Sequence, residues 1–295
     1  LRLRGPRDWT PPPPKEDGTI LDVWGIGRKL IELADGSYLN EISHCPMADL
    51  DPAEIDLDAY PWPDPHAPGF TDGLEEEAHR LYHETDLALM GRFGGPVMEM
   101  GTYLRGFEKW LMDLVIYPDF TRDMLNRITD IQIALDEIGI KAVGKYISVF
   151  KVSGEDLGMQ DRTLFSYKVW QDLIYPILKR RWRAAREALN NNNASHVKIM
   201  LHSDGAIRPF ISDIIKAGVN VLDPIQSVCP GMELEELKLD FGKELSFHGS
   251  VDTQFFLPRG SVQDVNNETK RCIDALGENG GLIHGPSHFI QPDVP

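Results

Sequence analysis

From about Gly73 onward, short apolar runs alternate with longer segments in which apolar residues recur every three or four positions. The short runs read as buried strands and the longer segments as amphipathic helices. Leu74–Thr85 has the helical period, with Thr71 or Asp72 placed as its cap. Leu87–Phe93 is apolar and ends in Gly94-Gly95-Pro96, so it reads as a strand. Helices are predicted over Thr102–Ile116 and Thr121–Val143, the second stopping at Gly144. One unit then repeats. Predicted strand Tyr146–Lys151 leads to a helix over Tyr167–Asn190, and His196–Leu201 to one over Ile207–Ala217. Val219–Leu222 leads to Glu233–Phe241, Leu245–His248 to Val262–Leu276, and Leu282–His284 opens a last strand.

Short buried strands alternating with helices imply parallel β-α-β units. No GxGxxG or Walker-type loop follows a strand, which weakens a doubly wound nucleotide-binding sheet. Almost every predicted strand instead ends in polar groups: Glu155 and Asp156, His202 and Asp204, Asp223 and Gln226, His248 and Asp252, then His288. Reactive groups at successive strand ends are the signature of an α/β barrel, so the expected fold is a (β/α)8 TIM-type barrel. The barrel is read as one domain, with β/α units over 71–295 and an irregular N-terminal wrap over 1–70. The wrap carries the polyproline run Pro11–Pro14, turn signals at Asp51-Pro52, Tyr60-Pro61, Trp62-Pro63 and Asp64-Pro65, and a short strand near Ile20–Trp24.

Charge narrows the partners. The formal net charge of −16 repels phosphate backbones, so no nucleic-acid partner is expected. The basic run Lys179-Arg180-Arg181-Trp182-Arg183 lies in a helical pattern and reads as a solvated face. Cys45, Cys229 and Cys272 show no CxxC spacing, which suits free thiols in a reducing compartment. No leader pattern and no apolar run near the roughly 18 residues of a membrane span is visible, so a cytoplasmic protein without a membrane partner is expected. The chain opens at Leu1 and stops at Pro295 just after a loop. The expectation is a barrel cut before its closing helix. An apolar groove would then lie open beside the last strand, around Leu282 and Ile283, or be filled by the wrap through Trp9, Trp24 or Trp62.

Three loops carry the candidate chemistry. In His202-Ser203-Asp204-Gly205, the i, i+2 spacing of an extended segment puts both side chains on one side. A histidine and a carboxylate so placed can share a divalent metal or act as an acid–base pair. Equally, Asp204 can cap the next helix while His202 makes a structural hydrogen bond. Gly285-Pro286-Ser287-His288 places a second histidine after the last strand. In Gly154-Glu155-Asp156-Leu157-Gly158, at most one of two adjacent carboxylates faces a pocket, and spacing alone does not say which. His79 and His83 are i, i+4 on a charged helix and read as surface.

The segments 153–160, 202–206, 218–226, 248–254 and 288–295 together resemble the uroporphyrinogen decarboxylase superfamily, which includes corrinoid-linked methyltransferases. The methyltransferase branch often holds zinc through a His-x-Cys pair and a later Cys. Here His202-x-Asp204 and His288 stand at those positions, so the resemblance implies either zinc or another divalent metal on His202, Asp204 and His288, or the same three as acid–base groups with no metal bound. Oxygen and nitrogen ligands make a harder site than thiolates, suited to polarising an ether or alcohol oxygen. The resemblance further implies substrate contacts from Glu155, Asp156, Gln160, Asp223, Gln226, His248, Asp252 and Gln254. The donor would be a small methoxy or methylamine compound, and the acceptor a corrinoid whose carrier protein docks at the barrel mouth. The alternative activity is porphyrinogen decarboxylation. The arginine-rich N-terminal segment of true decarboxylases is not found, since Arg4-Gly5-Pro6-Arg7 is unlike it. A barrel that only binds a small ligand is the non-enzymatic reading, and an oligomer is compatible with all three.

Overall fold

The computed structural model describes residues 1–33 and 36–295. The wrap is more regular than its sequence suggests. β1 (Ile20–Leu21), β2 (Gly27–Glu32) and β3 (Tyr38–His44) form a small antiparallel sheet in the order β1-β2-β3. Strands β2 and β3 were missed because Leu30, Ile31, Tyr38 and Leu39 all stay exposed, so no period-2 alternation marks a buried face.

Helix α1 (Leu74–Glu84) starts from Gly73 in a left-handed conformation, with no side-chain cap from Thr71 or Asp72. It leads to β4 (Met90–Gly91), much shorter than the apolar run containing it. The helix expected over 102–116 is two helices, α2 (Met98–Arg105) and α3 (Phe107–Ile116). Gly106, at φ 79°, breaks them apart, and α2 begins four residues before the expected start. After α4 (Pro118–Val143), β5 spans Val149–Gly154. α5 (Tyr167–Val169) passes through a π-helical turn, Trp170–Ile174, into α6 (Tyr175–Asn191). Then come β6 (Lys198–His202), α7 (Arg208–Lys216), β7 (Val221–Asp223), α8 (Leu234–Phe241), β8 (Ser246–Val251), α9 (Phe256–Arg259), α10 (Val262–Gly277) and β9 (Leu282–Pro286).

Strands β4 to β9 form one sheet, parallel throughout and adjacent in chain order. The order is as the sequence predicts. The eight-strand count is not: among the described residues the sheet has six strands and β4 does not pair with β9. The outer edge of β4 is instead met by the N-terminal residues. Arg2 bridges Arg92 in parallel, and the Arg92 amide donates to the Leu1 carbonyl at 2.9 Å. At the other edge, α10 packs on β8 and β9, Leu282 is partly buried and Ile283 remains 41% exposed. Of the wrap's tryptophans, Trp24 and Trp62 pack edge to face with centroids 6.2 Å apart, while Trp9 is exposed.

The basic run on α6 needs a correction. Arg180 and Arg183 face solvent, but Arg181 and Trp182 are fully buried. Position 181 shares a helix face with the buried Leu178 and Ala185, at i−3 and i+4.

Packing is close enough to make a prediction at Gly139 in α4. A Cβ there would lie 2.2 Å from Cγ of Phe93, whose ring stacks on Phe150 at 5.5 Å. Replacing a mid-helix glycine by alanine ordinarily gains about 0.5–1 kcal/mol. Overpacking a tight core costs about 1–3 kcal/mol, and this term should win. Gly139→Ala is expected to lower the urea midpoint, and an unchanged or raised midpoint would show that Phe93 has room to move.

Candidate active site

A cavity of about 860 Å³ opens where the strands of the parallel sheet end. Its wall includes Asp156, His202, Asp204, Asp223, His248 and His288, all expected from sequence, together with Arg92, Glu99, Tyr103, Lys151 and His284.

Small residues let the loops converge. At Gly154 a Cβ would lie 2.8 Å from Glu99 Oε1 and 3.2 Å from the His202 ring. The loops after β5 and β6 cross at two glycines. A Cβ on Gly158 would meet the Asp204 carbonyl at 2.7 Å, and one on Gly205 (φ +84°) the Met159 carbonyl at 2.6 Å. That crossing brings Asp156 beside Asp204, whose amide donates to Asp156 Oδ1 at 3.3 Å. Gln226 fixes the same loop by accepting from the Gly205 amide at 2.6 Å, and Ser203 accepts from the Leu157 amide at 3.0 Å.

Asp223, at the end of β7, is the hub. It accepts from Lys151 Nζ at 2.6 Å, His202 Nδ1 at 2.9 Å and His248 Nδ1 at 2.5 Å. Burial alone would raise its pKa, but these three donors hold the carboxyl well below the ordinary range. For His202 burial disfavours the charged form. The carboxylates of Asp204 and Asp223 outweigh it and push the imidazole up to about 9.

With Nδ1 held by Asp223, His202 directs Nε2 at two more carboxylates. It lies 3.4 Å from Asp204 Oδ2 and 3.8 Å from Asp156 Oδ1. Ligand atoms at ordinary zinc distances around a tetrahedral ion stand roughly 3.3–3.5 Å apart. One ligand atom from each of Asp156, His202 and Asp204 lies within 4.8 Å of the others, which fits a divalent ion after small adjustment. A histidine ligand whose second nitrogen is tied to a carboxylate is the usual support of a metal site. Asp204 Oδ1 is buried with no hydrogen-bond partner, as expected of a group awaiting a cation. Burial, then Glu99 and Asp204, push the Asp156 carboxyl up, so a cation there would relieve crowded negative charge. His288 Nε2 lies 3.8 Å from Asp204 Oδ2, at the rim of the same cluster.

Other expected site residues sit elsewhere. Glu155 is fully buried behind the cavity and accepts from the amides of Val97 and Met98 at the start of α2, at 2.8 and 2.6 Å. Burial pushes its carboxyl up to about 8, against the pull of nearby Arg181. Asp252 accepts from the amides of Gln254, Phe255 and Phe256 and shapes the loop before α9. Gln160 and Gln254 are exposed, and neither they nor Gln226 lines the cavity. His79 and His83 are exposed on α1, as read from sequence.

Four of the missed residues left signals. Lys151 is a lone charge in an apolar strand. Arg92 follows a strand directly, and its guanidinium donates to Ser153 Oγ at 3.1 Å. Glu99 and Tyr103 are i, i+4 on α2, with the Tyr103 hydroxyl donating to Glu99 Oε2 at 2.6 Å. Starting that helix at Thr102 hid their shared face.

Polar groups thus gather where the strands of a six-stranded parallel α/β sheet end, and the chain belongs to the uroporphyrinogen decarboxylase (URO-D) family, whose model matches residues 46–295. Among solved structures, it is similar to a methyltransferase from Methanosarcina mazei, with 17% identity and a TM-score of 0.66 over 93% of this chain and 74% of that one. At that identity the likeness shows a shared fold. An endo-1,4-beta-xylanase from Penicillium canescens aligns at 16% identity and a TM-score of 0.45, over 74% of this chain and 67% of that one. Xylanase B from Clostridium stercorarium aligns at 14% and 0.44, over 74% and 71%. No curated protein matches the chain. None of the described helices is long and apolar enough to cross a membrane.

Proposed function

We propose that the protein transfers a methyl group from a small methylated compound to a corrinoid carried by a partner protein, with a divalent metal held by His202, Asp204 and Asp156 and His288 beside it. The observation that carries this reading is His202 itself, with Asp223 fixing one nitrogen and two carboxylates facing the other. Four carboxylates, Glu99, Asp156, Asp204 and Asp223, line the cavity against Arg92, Lys151 and a charged His202, and Lys151 and His202 are already tied to Asp223. Such a lining favours a bound cation over the octa-acid of porphyrinogen decarboxylation.

A divalent cation would polarise the donor's heteroatom and make it a better leaving group. The rest is the work of the chain. Asp223 keeps His202 in one orientation and holds Nδ1 of His248, whose ring forms part of the cavity wall. A corrinoid brought to the cavity mouth would supply the electron pair that accepts the methyl group. The carbon–oxygen bond would break, and the departing oxygen would keep its electron pair, be stabilised by the cation held by His202, Asp204 and Asp156, and take its proton from solvent.

Metal titration tests the site. In the metal-free protein His202 stays protonated up to about pH 9, so binding at Nε2 must displace a proton. Calorimetry with zinc at pH 7.5, in buffers of different ionisation enthalpy, should show about one proton released. Affinity should rise about tenfold per pH unit toward pH 9. Zinc binding without proton release would remove His202 from the ligand set.

A further inference from the structure

A second, smaller cavity of about 340 Å³ adjoins the first, and Glu99, Tyr103 and Asp156 line both. Its remaining wall is Met98, Thr102, Phe107, Trp110, Gly158, Met159 and Leu164, mostly apolar and aromatic. Trp110 is fully buried, and its indole N–H has no hydrogen-bond partner.

We infer that this side cavity holds the ring of an aryl methyl ether, with the methoxy oxygen directed past Asp156 toward His202 and Asp204. The inference rests on the proposed methyl transfer and names its substrate class. A pocket of this size and lining is suited to an apolar body, with a few polar groups setting orientation. The shared wall is the reason for the choice. A ligand whose reactive oxygen is at the Asp156–Asp204–His202 cluster has its next atoms beside Glu99 and Tyr103, where the apolar cavity begins. Methanol or a simple methylamine would leave that cavity empty.

The test uses the intact zinc-loaded protein, with 2-methoxyphenol, methanol and tetramethylammonium as probes, and two readouts: calorimetric binding and methylation of cob(I)alamin. Leu164→Trp is chosen to fill the side cavity, and Leu164→Ala to enlarge it. The wild type is expected to bind 2-methoxyphenol at least tenfold more tightly than either small probe. Leu164→Trp should lose that preference, while Leu164→Ala keeps it. Should Leu164→Trp fail to fold, the three-probe comparison on the wild type still decides. Preferred binding of the aryl ether without methylation would leave the side cavity assigned and defeat the proposed reaction. Methylation from methanol or tetramethylammonium, with no preference for the aryl ether, would support the reaction and overturn the side-cavity assignment.

Discussion

His202→Ala is expected to lower methyl-transfer turnover about 10²–10⁴-fold, the range for losing a group that acts directly at the reacting centre, and to abolish stoichiometric zinc binding. Its effect on stability should depend on pH. The folded-state pKa of about 9 lies above the ordinary 6.5. The ion-pair stabilisation is therefore fully present below about pH 6.5 and lost as pH rises through 9. Urea midpoints of variant and parent should coincide near pH 9.5 and separate at pH 6. Retained turnover with a large stability loss at pH 9.5 would make His202 a structural residue.

The largest stability effect is expected at Arg181→Ala. Arg181 is fully buried and donates to Asp136 at 2.8 and 3.2 Å and to the Gly95 carbonyl at 2.6 Å. Glu155 Oε1 lies 3.6 Å away. Removing the guanidinium leaves the buried Asp136 carboxylate without its cation, at a cost of about 3–5 kcal/mol. The damage should reach the site. Asp136 also accepts from the Gly94 amide at 2.8 Å, and Glu155 holds the start of α2, which carries Glu99 and Tyr103. Urea unfolding should show a lower midpoint, and zinc-loaded variant protein should bind the donor more weakly. A loss under about 1 kcal/mol would show that the loop over Gly94 and Gly95 holds itself.

The order of the strands from β5 to β9 was legible because each is a short apolar run closed by polar groups, and that period is strong. The loop from His202 to Gly205 was legible for the same reason, since extended chain places alternate residues on one side. Which of Glu155 and Asp156 faces the cavity was not, because adjacent residues point oppositely and spacing does not reveal the sense. The answer lies in α2, whose start needs a carboxylate acceptor and takes Glu155. The β2–β3 hairpin left no trace because neither strand has a regular buried face. Arg181 looked solvated because its neighbours are basic. Counting by threes and fours from Leu178 and Ala185 puts it on the buried face instead, where an arginine needs an acid, and Asp136 on α4 supplies it.

The most direct test of the central claim is spectrophotometric. Zinc-loaded protein would be mixed with free cob(I)alamin and 2-methoxyphenol, or a simple methyl donor, and the absorbance of methylcobalamin followed. Methylcobalamin should form with wild-type protein, depend on added zinc, and fall to background with His202→Ala. No methylcobalamin from any methyl donor, with release of carbon dioxide from a porphyrinogen acid by the same preparation, would contradict methyl transfer and make the cavity a decarboxylase site.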